Sequence, residues 1–133
     1  MTDQEIFDKV LFAIRQQGRA AVETCIPVSG GGPVTLCRYR TTDKTTGAVL
    51  KCAAGHLIPD DRYTEDFEGL PARAVWKRGA FPEVTEMQAG WLLSNLQNAH
   101  DHSLHNGSLT KWEENMQRIA QNHGLTYQHP PIL

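Results

Sequence analysis

Hydrophobic residues recur at helical spacing near the start of the chain. Ile6, Phe7, Val10, Leu11 and Ile14 fall on one face of a helix from about Asp3 to Gln17. Thr2 and Glu5 stand at capping-box spacing before it, and Gly18 suits a left-handed stop after it. Arg19 to Ile26 shows no clear period. Pro27 and the run Ser29-Gly30-Gly31-Gly32-Pro33 then predict a connector. That run lacks the Lys-Ser/Thr ending of a phosphate-binding loop.

Alternation replaces the helical period further on. Val34 to Arg40 and Val49 to Leu57 read as the two strands of an antiparallel hairpin, joined by the polar segment Thr41 to Ala48. A symmetric loop sets Cys37 opposite Cys52 and Tyr39 opposite Leu50. Thr35, Cys37, Tyr39, Leu50 and Cys52 then share an apolar face, and Arg38, Arg40 and Lys51 a basic one.

Ile58-Pro59-Asp60-Asp61 predicts a turn into a short helical insert, capped by Asp60 and anchored by Tyr63, Phe67 and Leu70. Gly69, Pro71, Gly79 and Pro82 interrupt the next stretch, where Trp76 and Phe81 are either core residues or interface anchors. Thr85 and Gln88 open a second long helix to about Asp101, with Met87, Trp91, Leu92 and Leu96 as its apolar face. His102 to Gly107 predicts a tight turn. Ser108 caps a third helix with the face Leu109, Trp112, Met116 and Ile119, and Gly124 ends it. The expected fold class is α+β and helix-dominated, with three main helices on one small antiparallel hairpin and a short helical insert. Residues 1–133 form one domain, with 125–133 as an extended tail.

Composition adds limits. The 133 residues are 40% hydrophobic, enough for one core. No stretch approaches the roughly 20 apolar residues of a membrane helix. The opening MTDQEIFDKV is acidic and amphipathic, unlike a secretory signal. Three cysteines, Cys25, Cys37 and Cys52, make a poor disulfide framework. These features imply a reducing, cytoplasmic setting. The net charge of −2 argues against nucleic acid as the main partner.

Four groups carry possible chemistry. Cys37 and Cys52 with His56 and His100 have the residue types of a zinc site, but no Cys-x-x-Cys pair is present, and the ordinary reading is two buried thiols. His100, Asp101, His102 and His105 suit a general base or metal ligand, or simply the end of a helix. Asp60, Asp61, Glu65, Asp66 and Glu68 are acidic enough for acid–base work or a divalent cation, but lack an EF-hand pattern. Arg38, Arg40 and Lys51, with Arg73, Lys77 and Arg78 around Trp76 as an extension, suit an acidic protein or a single nucleic-acid strand. No catalytic signature appears, which favours a binding module over an enzyme.

The centre of the chain resembles a group of small uncharacterised phage, prophage and bacterial proteins. Cys37-Arg38-Tyr39-Arg40, Lys51-Cys52-Ala53-Ala54-Gly55-His56-Leu57-Ile58-Pro59-Asp60, Tyr63 and Glu68-Gly69 carry the resemblance, with Leu96-Gln97-Asn98-Ala99-His100-Asp101 further on. It covers about half the chain. Histidine stands at position 56 where the group has cysteine, and the Thr41 to Ala48 loop is longer than usual. The resemblance implies an accessory protein in the cytoplasm of a host bacterial cell, binding or inhibiting a host or phage protein. The expected contact residues are Arg38, Arg40, Lys51, Pro59, Asp60, Tyr63 and Glu68. The alternatives are a small zinc-dependent enzyme or zinc-stapled module on Cys37, Cys52, His56 and His100, and a single-strand nucleic-acid binder. A homodimer stays open.

Overall fold

The computed structural model describes residues 1–25, 34–104 and 108–129, with the side chains of 23–25 and 34–36 not described. The glycine run, His105 and the last four residues therefore lie outside the described residues, as does the side chain of Cys25.

The local signals at the ends of the chain are realised. α1 spans Asp3–Gln17, and its capping box is complete: Glu5 N–H donates to Thr2 Oγ1 at 3.1 Å and Thr2 N–H to Glu5 Oε1 at 2.9 Å. Gly18 closes it at φ 77°, in the left-handed region. Ile6, Phe7, Val10, Leu11 and Ile14 are all fully buried. Each stabilises the fold by about 1.5–3 kcal/mol through burial.

The strands are arranged differently from the single hairpin expected. β1 (Val22–Cys25) pairs with β2 (Val34–Cys37), and β3 (Arg40–Thr42) pairs with β4 (Val49–Lys51), both antiparallel. Cys37 therefore lies opposite Val22, not Cys52, and Arg40 lies opposite Lys51. The strand divides because backbone donors between β2 and β3 take other acceptors. Arg38 N–H reaches Ala21 O at 2.9 Å. Tyr39 and Arg40 N–H donate to the two carboxylate oxygens of Glu68 at 2.9 and 3.2 Å.

The second predicted strand also ends early. After β4 the chain coils into a 3₁₀ turn at Ala54–Leu57. Cys52 Sγ accepts from Gly55 N–H at 3.3 Å, inside that turn. A Cβ at Gly55 would overlap the carbonyl oxygen of Tyr39, so only glycine lets the turn pack there. The insert is a 3₁₀ turn at Glu65–Phe67 followed by α2 (Ala72–Lys77). Asp60 caps no helix; it pairs with cations of the hairpin instead.

α3 runs through residues 86–104, three residues beyond the expected end, and contains two π-helical segments, Ala89–Leu93 and His100–Leu104. The wider π turns shift the helical phase. Ala89, Leu92, Leu93, Leu96, Ala99 and His100 face inward, while Met87 and Trp91, expected in the core, are 76% and 55% exposed. α4 (Leu109–His123) buries Trp112, Met116, Ile119 and Ala120; Leu109, also expected on that face, is 40% exposed. Ser108 and Gly124 cap α4 as expected.

The result is a helix-dominated α+β fold around one cluster of buried residues, drawn from Ile6 to Ala120 among the described residues. Phe81 belongs to that core, and Trp76 is half-buried with its indole N–H on Val84 O at 2.6 Å. The described part of the tail lies along α1 and α4. Thr126 N–H donates to Gln4 Oε1 at 2.8 Å, Gln4 Nε2 returns a bond to Thr126 O at 3.0 Å, and Arg15 donates to Gln128 O at 2.6 Å.

Candidate functional site

The residues proposed for partner contact come together, and they do so by neutralising one another. The register that sets Arg40 beside Lys51 creates a positive pair, and Asp60 sits against both, at 2.7 Å from Arg40 Nη2 and 3.6 Å from Lys51 Nζ. Lys51 first, then Arg40, holds the exposed Asp60 carboxyl below its ordinary range. Arg38 reaches Glu65 at 2.7 Å and Glu68 at 3.4 Å. The segment after Pro59 thus folds back over the basic face of the hairpin.

Glu68 organises this cluster. Its side chain is only 10% exposed. Besides the two backbone N–H groups, it accepts from Tyr63 Oη at 2.6 Å. Burial, then Glu68, pushes the Tyr63 hydroxyl up to about 12. The Arg40 guanidinium lies over the Tyr63 ring, 4.5 Å from its centroid. Tyr39 Oη donates to Leu70 O, joining the hairpin to the segment's far end. In front of the cluster opens a cavity of about 500 Å³, lined by Arg38, Arg40, Lys44, Thr41, Thr42, Tyr63 and Glu65. Lys44 and the two threonines were not singled out from sequence, because only the β3–β4 turn brings them there.

The cysteine and histidine residues assemble in part. Ligand atoms of Cys37, His100 and Asp101 lie within 4.8 Å of one another, the one such grouping among the described residues. His56 is not in it. Cys52 is buried and shares with Cys37, Gln97 and Asp101 the wall of a cavity of about 400 Å³.

Hydrogen bonding determines what this cluster can do. His100, expected at an exposed helix end, is fully buried within α3. Its Nε2 accepts from Ala21 N–H at 3.2 Å, so its proton sits on Nδ1 and points at Asp101 Oδ1, 2.8 Å away. Gln97 Nε2 donates to the same oxygen at 2.9 Å, while Gln97 Oε1 accepts from Ala54 N–H at 2.9 Å. Both imidazole nitrogens are thus engaged, and neither offers a lone pair to a metal or a thiol. Burial, then Asp101, pushes the Cys37 thiol up to about 12, and burial raises Cys52 as well. Both sulfurs are thiols at neutral pH, the opposite of an activated nucleophile. Asp101 was singled out beside His100 from the sequence, but Gln97 was missed as an organiser of this network; its i, i+4 spacing to Asp101 was the available signal.

His56 lies on a separate cavity with Gln17, Val49 and Leu50. Burial first, then Lys51, His100 and Lys9, lowers it to about 4. Its Nε2 is buried with no hydrogen-bond partner among the described residues. The expected continuation of the basic face is weakened by Glu86, which pairs with Arg73 at 2.9 Å.

Compared with known proteins, the chain matches no family model, no curated protein and no solved structure. No helix among the described residues is long and apolar enough to cross a membrane.

Proposed function

We propose that this chain is a non-enzymatic protein-binding module of phage or prophage type, acting in the cytoplasm of a host bacterial cell on an acidic segment of a host or phage protein. The observation that carries the reading is the Arg–Tyr cavity at the β3–β4 hairpin. The Arg38 side chain is held by Glu68 and that of Arg40 by Asp60, and Lys44 adds an exposed cation at the cavity's edge. Arginine and tyrosine fixed before binding lose little freedom on contact, which is the usual chemistry of an interface hot spot. The Cys37–His100–Asp101 network supports the same reading from the other side, since its groups are tied up in internal hydrogen bonds. The same bonds weigh against the zinc alternatives. A single nucleic-acid strand needs several unpaired cations along a groove, whereas here Arg38, Arg40 and Lys51 are paired and Lys44 supplies the one exposed, unpaired charge of the cavity among the described residues, enough for a single carboxylate of a protein segment.

The test is co-purification of partners from host cells with the wild-type chain, with Lys44→Glu, and with Lys111→Glu on α4 as a control. Lys44 is exposed and holds no internal ion pair among the described residues, so its reversal leaves the fold intact. A protein retained by wild type and Lys111→Glu but lost from Lys44→Glu supports the hairpin site. Equal retention by all three removes it.

A further inference from the structure

We infer that the groove between α3 and α4 binds an extended peptide segment through its main chain. This site is separate from the hairpin and independent of the reading given to it.

The groove, of about 250 Å³, is lined by four asparagines, two from each helix: Asn95 and Asn98, Asn115 and Asn122. Buried Ala99 and Ile119 lie among them. Both ends are built. At one end Asn95 Nδ2 meets His123 Nε2 at 3.1 Å, and the Trp91 ring packs on His123 with centroids 4.2 Å apart. At the other end Asn115 Nδ2 donates to Ser103 Oγ. Along the groove Asn98 and Asn122 are exposed, and among the described residues their carboxamides hold no hydrogen bond.

A carboxamide carries the donor and acceptor of a peptide bond in one plane, so each can pair with a backbone amide and its carbonyl together. From Asn115 to Asn122 the helix rises about 10 Å, the length of about three extended residues. The groove therefore reads a short stretch of main chain. Arg118 lines the same groove, exposed, with a bond of 3.3 Å to Asn115 Oδ1, and it selects a carboxylate side chain on that peptide. Trp91 and Met87 continue the outward stripe of α3 past His123 and offer an apolar contact to the next residue.

Other occupants fit less well. A sugar stacks on a broad aromatic face; the one ring in the lining is the small imidazole of His102, and Trp91 lies outside it, packed on His123. A second helix needs an apolar ridge, whereas the rims here are amides. A nucleic-acid strand needs several cations, and the only Lys or Arg in the lining is Arg118.

The test is NMR titration of the ¹⁵N-labelled full chain with acetyl-Leu-Ala-Glu-amide, following the side-chain NH₂ signals of asparagine. Saturable shifts at Asn98 and Asn122 are expected. The double variant Asn98→Ala/Asn122→Ala, with both positions exposed, should keep its fold and weaken binding about tenfold or more, as loss of two hydrogen bonds implies. Arg118→Glu should reverse the preference to the lysine analogue of the peptide. The inference fails if the two amides stay still at millimolar peptide, or if N-acetylglucosamine moves them equally. Since Lys44→Glu leaves this groove untouched, failure at the hairpin and failure here are separable.

Discussion

The backbone N–H of Ala21 donates to Nε2 of His100 across 3.2 Å, fastening the middle of α3 to the entry of β1. Both residues are fully buried. His100→Leu roughly keeps the volume but leaves that N–H without an acceptor and takes one donor from Asp101, which keeps Gln97. Orphaning buried polar groups costs about 1–3 kcal/mol each, so a loss of about 2–4 kcal/mol is expected. Urea denaturation measures it; an unchanged midpoint would show that the bond contributes nothing.

The same bond bears on metal. With the His100 proton on Nδ1 and Nε2 engaged, coordination requires breaking the Ala21 contact first. Protein purified without chelator should therefore show the mass of the bare chain by native mass spectrometry. Added cobalt should give no thiolate absorption band. One metal per chain would overturn the tautomer assignment and bring a zinc-stapled module forward.

Glu68 and Glu65 make similar ion pairs with Arg38 but should differ in weight. Glu68 is almost buried and accepts two backbone N–H groups and a phenol, whereas the Glu65 side chain is 75% exposed. Glu68→Ala should cost about 3 kcal/mol, since it orphans several donors at once. Glu65→Ala should cost about 0.5 kcal/mol or less, as surface pairs do. Equal effects in thermal unfolding would refute the role given to Glu68.

Gly55 and Gly90 offer a second contrast. At Gly55 an added methyl group meets the Tyr39 carbonyl, a rigid backbone atom, so Gly55→Ala should lower stability by about 3 kcal/mol or more. At Gly90 nothing lies within 4 Å, and the residue sits in a helix. Gly90→Ala should stabilise by up to about 1 kcal/mol. Calorimetry of the two variants, with Tm moving in opposite directions, is the check.

His56 predicts acid sensitivity. An unfolded histidine gains its proton near 6.5, whereas folded His56 holds out to about 4 because burial opposes its charge. Between those values the unfolded state binds the proton and the folded state does not. Stability therefore falls as pH drops through that window, and this group adds no further loss below it. His56→Leu should flatten the slope of unfolding free energy between pH 6.5 and 4. An identical slope in the variant would assign the effect to other groups.

Much of the helical framework was readable in one dimension. The Thr2–Glu5 box, Gly18, Ser108 and Gly124 act within a few residues of themselves, and the apolar face of α1 depends only on its own period. The sorting of Arg38, Arg40 and Lys51 away from Tyr39, Leu50 and Cys52 was readable too, because strand alternation survives a register error of two residues.

Long-range contacts settled the rest. Whether Cys37 faces Cys52 or Val22 depended on Glu68, 29 residues beyond Tyr39, taking backbone donors that a continuous strand would have used. Whether His100 was an exposed cap or a buried strut depended on Ala21, 79 positions away. The outward turn of Met87 and Trp91 depended on π segments in α3, which change the helical phase without a simple sequence mark. The sequence by itself determined which segments are helical and which face of each strand is polar, since those preferences are local. Only the tertiary structure decided which polar groups meet, because a buried backbone donor is satisfied by whatever acceptor folding brings to it, wherever in the chain that lies.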